Sequence, residues 1–169
     1  FGMGEKLTAG AIFNSKIRTA SLRFEKPMFL EKKNTSISEG SFNDETTDAY
    51  DARSVEVSTV LGRKFAKTFQ AGAGVGFRYG RVEQKTDDEY TNYHLAFLPL
   101  TASQDTREDL LNPTHGYNLT LSAAPYQDVK DGNLRFFRYL LSGSTYYNFN
   151  TGDKVVFAVR ADFGQMIGV

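Results

Sequence analysis

Apolar and polar residues alternate along most of this chain, with the period of two that is typical of β-strands. The clearest run covers residues 69–80, where apolar side chains on one face alternate with Gly, Gln and Arg on the other. No segment shows the 3.6-residue period of an amphipathic helix. The pattern predicts an all-β protein of about nine strands, at residues 4–14, 17–29, 34–43, 50–62, 66–84, 89–103, 115–127, 134–149 and 153–167.

The segments between these strands are short. Tight turns are expected near residues 14–16, 31–33, 62–64 and 150–153, and looser acidic loops at 43–49, 83–89 and 127–133. Consecutive strands with short links usually lie side by side. We therefore expect an antiparallel up-and-down meander, within a single domain that covers residues 1–169.

Strand length favours a transmembrane β-barrel over a soluble β-sandwich. Strands in soluble folds average about five or six residues, whereas membrane strands need about 9–11 residues in the hydrocarbon alone. Mid-strand charges also lie among glycines on the polar faces, as in a water-filled lumen. Six tyrosines near strand ends are compatible with an interfacial girdle: Tyr79, Tyr93, Tyr117, Tyr126, Tyr139 and Tyr147. The alternation places Tyr93, Leu95 and Phe97 on the apolar face and His94 on the polar face.

Composition narrows the classes of partner and chemistry. Acidic and basic residues balance at 20 each, so no strong field would attract nucleic acid. There is no cysteine, which excludes disulfides and thiolate metal sites. No apolar run reaches the roughly 18 residues of a membrane helix. The chain starts at Phe1 without an initiator Met or a signal-peptide core, so we expect a mature chain or an excised piece.

The segment 104–121 combines a charged cluster, a turn and a new alternating strand. Pro113 fixes its own φ and favours an extended Asn112, and Gly116 permits a positive φ before the strand. Carboxylates at this spacing could serve acid–base catalysis or bind a cation. A solvated turn with an arginine bridge is the favoured interpretation. The turn residues singled out are Asp105, Arg107, Glu108, Asp109, Asn112, Pro113, Thr114 and Gly116.

Other candidate sites are weaker. His94 and His115 are the only histidines, too few for a zinc site. Ser, His and Asp occur without a G-x-S-x-G elbow, and the Gly-rich run at 72–80 lies inside a strand and lacks a phosphate-loop pattern. The acidic segments 43–45 and 87–89 are expected to be solvated loops rather than calcium sites. We therefore expect no enzyme, and no catalytic, metal or cofactor site.

The string Asp-Thr-Arg-Glu-Asp-Leu-Leu-Asn-Pro-Thr-His-Gly-Tyr at 105–117, followed by Leu119 and Leu121, resembles the bacterial surface antigen family. These are outer-membrane barrel assembly and protein-translocating proteins of BamA and TamA type. The string leans slightly towards the TamA branch. The segment 2–10 also resembles the family's early barrel strands. The resemblance implies part of a sixteen-stranded barrel in the bacterial outer membrane, with the motif on a periplasmic turn and the acidic loops outside the cell.

The same resemblance implies function and partners. The expected role is insertion, assembly or translocation of other outer-membrane proteins, with outer-membrane lipids and client proteins as partners. The family's Val-Arg-Gly loop, terminal gate strands and periplasmic POTRA domains have no counterpart in this sequence, so we expect a middle piece of the barrel. Lumen-facing Arg78, Arg138, Arg160 and Asp162 are candidates for contacting the missing loop. The alternatives are a passive porin or ligand-uptake barrel, and a soluble β-sandwich binding module.

Overall fold

The computed structural model describes residues 4–86, 90–130, 132, 134–149 and 155–168. The described part forms one antiparallel sheet, and it contains no helix that could cross a membrane. The strands are β1 (Lys6–Phe13), β2 (Ile17–Pro27), β3 (Asn34–Thr46), β4 (Tyr50–Lys64), β5 (Phe69–Gln84), β6 (Tyr90–Phe97), β7 (Leu100–Asp105), β8 (Gly116–Asp128), β9 (Arg135–Asn148) and β10 (Val156–Gly168). The prediction of an all-β antiparallel meander is confirmed. The expected turn at 150–153, the acidic segment 87–89 and part of segment 2–10 lie outside the described residues.

The strand expected at 89–103 is divided into β6 and β7 by Leu98 and Pro99. Both parts pair with β5 and with β8, and the register does not shift across the break. Pro99 accepts a hydrogen bond from Gly74 N (2.9 Å), and Pro125 accepts one from Leu98 N (3.2 Å). Neither proline can donate in return, because proline has no N–H. The interruption is therefore a local loss of backbone hydrogen bonds, and β6 and β7 together occupy the position of one strand between β5 and β8.

The sheet curls, so that residues from β2 and from β10 line the same cavity of about 810 Å³. We call the cavity side the concave face; Glu39, Ser58, Ser122 and Leu140 lie on it. The opposite, convex face carries large apolar side chains that remain exposed. They include Leu7, Leu22, Val55, Val57, Val75, Phe77, Leu119, Leu121, Phe137, Val159 and Phe163.

Most of the apolar surface is not buried within the chain. The accessible surface is 11944 Å², against about 8,300 Å² for a soluble monomer of this mass. Among the described residues the buried apolar set is small: Leu95, Phe97, Ala124 and Tyr126. A soluble β-sandwich would bury its apolar faces between two sheets. This single sheet instead exposes its apolar face, which contradicts the sandwich interpretation.

The assignment of faces on β6 was wrong. Phe97 lies directly opposite Gly76, and Tyr93 directly opposite Gly80, so Tyr93, Leu95 and Phe97 lie on the concave face. His94 is opposite Tyr79 on the convex face, with ring centroids 5.0 Å apart. The physical reason is that the glycines of β5 leave space that aromatic rings of the next strand fill.

The two tyrosines Tyr93 and Tyr126 also do not belong to an outward-facing girdle. Tyr126 is opposite Phe97 and is almost fully buried on the concave face. β3 departs from the pattern as well, because its apolar Ile37 lines the concave cavity while Ser38 lies on the convex side and bonds to Thr59 (3.0 Å between hydroxyl oxygens).

Candidate functional site

A row of directly opposite residues crosses the concave face from β1 to β10. Its first half is polar and its second half is aromatic, with a glycine at each end of the aromatic part. In order, the row is Thr8, Arg23, Glu39, Ser58, Gly76, Phe97, Tyr126, Phe136 and Gly168. The two halves of the concave face therefore have different chemistry.

The aromatic half is closely packed. Phe97 and Tyr126 stack with centroids 4.8 Å apart, and Tyr126 and Phe136 stack at 4.5 Å. A Cβ added to Gly76 would lie 2.2 Å from the Phe97 ring, and one on Gly80 would lie 2.0 Å from the Tyr93 ring. The glycines thus seat aromatic rings against the backbone, a known device for stabilising glycine in a sheet.

The polar half carries ion pairs between neighbouring strands. Arg23 pairs with Glu39 of β3, and Arg78 pairs with Glu56 of β4. Both pairs join residues that lie directly opposite each other. The side chains of Arg78 and Glu56 are 30% and 22% exposed, so this pair is partly shielded from water, and the loss of one partner should cost more than it does in a fully solvated pair.

The four polar residues singled out in the strands lie on the concave face by register, but they form three separate groups. Arg78 is held by Glu56. Arg138 lies over the Tyr126 ring, 5.5 Å from its centroid, as expected for a cation–π contact. Arg160 and Asp162 pair with each other on β10 at 3.0 Å.

The sequence pattern placed Glu56 on a polar face but did not pair it with Arg78, and it missed Glu39 and the aromatic row as members of this surface. Glu56 and Arg78 are equally far from the centre of the observed turn between β4 and β5, so they lie directly opposite each other in the hairpin. The turn expected at 62–64 does not give this register, because residues 62–64 belong to β4. No sequence signal marked Tyr126. Its hydroxyl is buried without a hydrogen-bond partner in the described part of the chain.

The turn between β7 and β8 is held by its own charged side chains. The Arg107 guanidinium donates two hydrogen bonds to Asp105, at 2.9 and 2.6 Å, and Asn118 donates to the same carboxylate at 3.0 Å. The Asp105 carboxylate raises the pKa of Arg107 above its usual range. The cluster therefore fixes the start of the turn against the first residues of β8.

Glu108 closes the turn from the other side. Its carboxylate accepts hydrogen bonds from Thr114 Oγ1 (2.6 Å), Thr114 N (2.9 Å) and His115 N (2.6 Å). These bonds, led by the Thr114 hydroxyl, lower the pKa of Glu108 to about 2. Asp109 accepts from Leu111 N at 2.7 Å. Because each carboxylate is occupied within the turn, the arrangement is that of a structural brace.

Gly116 ends the turn with φ +97°. A Cβ there would lie 2.6 Å from Thr106 O, and Thr106 N donates to Tyr117 O at 2.8 Å. Asn112 and Pro113 lie between the two braced ends, while Leu111 is 96% exposed. The eight turn residues singled out in the sequence thus lie in one segment, from the end of β7 to the start of β8.

Two of three comparisons relate the chain to known proteins. The sequence profile described as the Omp85 superfamily domain matches residues 1–169. The fold is similar to a crystal structure of BamA from Haemophilus ducreyi lacking POTRA domains 1–3, with a TM-score of 0.80 and 16% identity. The match covers 99% of this chain and 36% of that one, so the chain spans about a third of that protein. No curated protein matches the sequence significantly.

Proposed function

The chain belongs to the Omp85 superfamily, and from this premise we propose that it forms part of an outer-membrane β-barrel that inserts, assembles or translocates other outer-membrane proteins. The observation that carries the proposal is the pairing of an exposed apolar convex face with a concave cavity lined by ion pairs and aromatic rings. Such a sheet suits lipid on one side and an aqueous interior on the other. The proposed location is the bacterial outer membrane.

In this proposal the 169 residues form one partial domain of a sixteen-stranded barrel and perform no covalent chemistry. Its partners are outer-membrane lipids, unfolded client proteins, and the rest of its own barrel with the periplasmic POTRA domains. No cofactor and no nucleic acid take part.

Within the barrel, the sheet would act as a stable wall. Strand pairing over as many as 15 residue pairs, as between β4 and β5, resists opening, because the ladder and the cross-strand pairs must break together. Arg78, Arg138, Arg160 and Asp162 would contact a chain segment folded into the lumen. Arg160 is readily accessible, with 74% of its side chain exposed.

The proposal is tested by reconstituting the full-length protein in liposomes and adding an unfolded outer-membrane client. The rate of client folding, measured by its heat-modifiable migration, should rise well above that in empty liposomes. A passive porin would instead give solute flux without faster folding, and that outcome would overturn the assembly role.

A second arm tests the concave face. Substituting Arg160→Gln and Asp162→Asn together removes an exposed ion pair without altering net charge. The expected result is slower client folding with unchanged insertion of the protein itself. An unchanged folding rate would show that this part of the lumen takes no part.

A further inference from the structure

Two neighbouring turns at one end of the sheet form a continuous surface. One covers residues 28–33 between β2 and β3, and the other covers residues 64–68, from the last residue of β4 to the residue before β5. Lys64 N donates to Lys33 O at 3.0 Å, and Arg63 Nη1 lies 3.0 Å from Glu31 Oε2. We call residues 28–33 and 64–68 the basic rim.

The basic rim carries cations without matching anions. Lys32, Lys33, Lys64 and Lys67 are all exposed. Within the part of the chain that the structure describes, none of the four forms an ion pair, and Glu31, the one carboxylate of the rim, is engaged by Arg63. The surface therefore has a local excess of positive charge, although the whole chain is neutral.

Large apolar side chains lie among these lysines. Leu30 is 84% exposed, Phe65 60% and Met28 48%. Isolated exposed apolar residues need no explanation, but three within two adjoining turns form a cluster. Their position next to cations gives the rim the mixed character of surfaces that lie in the headgroup region of a bilayer.

The backbone of the first turn supports a specific role for its apolar residues. Met28 and Leu30 have φ values of 55° and 63°, in the left-handed region that residues with a Cβ rarely adopt. The turn is held in this form by hydrogen bonds from Phe29 N to Asn34 O (3.1 Å) and from Asn34 N to Glu31 O (3.1 Å). Gly or Asn adopts such a backbone conformation more easily. Met28 and Leu30 therefore occupy positions that their own conformational preference disfavours.

We propose that the basic rim binds the anionic phospholipid surface of the leaflet at this end of the barrel. The lysine ammonium groups contact lipid phosphates, while Leu30 and Phe65 insert among the upper acyl carbons. Charge complementarity favours this occupant, because four unpaired lysines match an anionic headgroup layer. The rim also continues the apolar convex face, whose Leu61 is exposed just before the turn.

The inference goes beyond the proposed function and requires only that the strands lie in a bilayer. It is tested on the full-length protein in non-ionic detergent by native mass spectrometry, with phosphatidylglycerol and phosphatidylcholine as probes. Preferential retention of phosphatidylglycerol is expected. The double substitution Lys64→Gln and Lys67→Gln should weaken that retention by about 25-fold, since each lysine near an anionic surface contributes about fivefold.

The matched control is Lys16→Gln with Lys130→Gln, which removes the same charge at the opposite end of the sheet; its retention should stay within about twofold. Leu30→Asn separates binding from folding, because Asn tolerates a positive φ. It should keep or raise thermal stability while lowering phosphatidylglycerol retention. Equal retention of both lipids, or equal losses in both double variants, would overturn the inference. Rim variants that keep full lipid retention but lose a soluble protein partner would also overturn it. Rim variants that lose phosphatidylglycerol retention but keep client-folding activity would support the inference and leave the assembly proposal unaffected.

Discussion

The ring of Phe97 lies over the backbone of Gly76, the residue directly opposite it on β5. The contact places an aromatic side chain in the lumen, where sequence alternation alone suggested a polar wall. It also begins the stacked series that continues through Tyr126 to Phe136. We therefore expect the stability effects of substitutions at the two positions to depend on each other.

A double-mutant cycle tests this dependence. Gly76→Ala should destabilise the protein by about 1–3 kcal/mol, because the new methyl group overlaps the Phe97 ring and forces it to move. In a Phe97→Ala background the same substitution should cost much less, or stabilise the strand, since Ala is less flexible than Gly. Unfolding in urea from detergent micelles supplies the four free energies. Additive effects would show that the ring does not depend on the glycine.

The Arg78–Glu56 pair should be sensitive to the loss of either partner. Glu56→Gln leaves an unpaired guanidinium in a partly shielded position, and we expect a loss of about 1–2 kcal/mol in unfolding free energy. The combined variant Glu56→Gln with Arg78→Gln should recover part of that loss. A control at Arg53, whose side chain is 71% exposed beside Asp44, should change stability by less than about 0.5 kcal/mol. Equal effects at both sites would contradict the shielding.

The Glu108 brace predicts a dependence of stability on pH. The pKa of Glu108 is lowered in the folded turn from its ordinary 4.5 to about 2. Its contribution is therefore fully present above about pH 4.5 and is lost as the pH falls from there towards 2. Thermal unfolding of the protein and of Glu108→Gln should differ at pH 6 and converge near pH 2. A difference that stays constant across this range would exclude the ionised carboxylate as the source.

Gly116 and Gly132 provide a matched comparison of backbone effects. Both have positive φ, 97° and 71°, but a Cβ on Gly116 would lie 2.6 Å from Thr106 O, whereas one on Gly132 meets nothing within 4 Å. Gly132→Ala should cost about 1 kcal/mol from the left-handed backbone alone. Gly116→Ala should cost at least about 2 kcal/mol more, because the new methyl group would clash with the backbone of Thr106. Similar losses at both sites would show that the turn can relax.

Sequence alone defined much of the sheet, since alternation locates strands whichever side they face. The ends of β4 and β8 were predicted to within two residues, and the motif turn was located by Pro113 and Gly116. The weakly patterned β3 also formed, because pairing with β2 and β4 supplies what its own polar residues do not. It runs to Thr46, so the acidic segment 43–45, which was expected to be a loop, belongs to the strand.

Alternation does not say which of two mixed faces turns inward. On β6 the aromatic Phe97 and Tyr93 face the lumen because β5 offers glycines directly opposite, and this requires knowledge of register between strands. The division of β6 from β7 has a clearer sequence signal in Pro99. The aromatic row was not predictable, because its members are far apart in sequence and meet only through the register of several strands.

The central claim is that the convex face contacts lipid and the concave face contacts water. Because the chain has no cysteine, single cysteines carrying a spin label can be placed at Val55, Val57, Ser54 and Ser58 on β4, and at His94 and Leu95 on β6. In liposomes, the accessibility of each label to oxygen and to a water-soluble nickel complex reports its surroundings. We expect oxygen to dominate at positions 55, 57 and 94, and labels at 54, 58 and 95 to be shielded from lipid. Uniform accessibility along β4, or a lipid-exposed label at 95 with a shielded one at 94, would contradict the account.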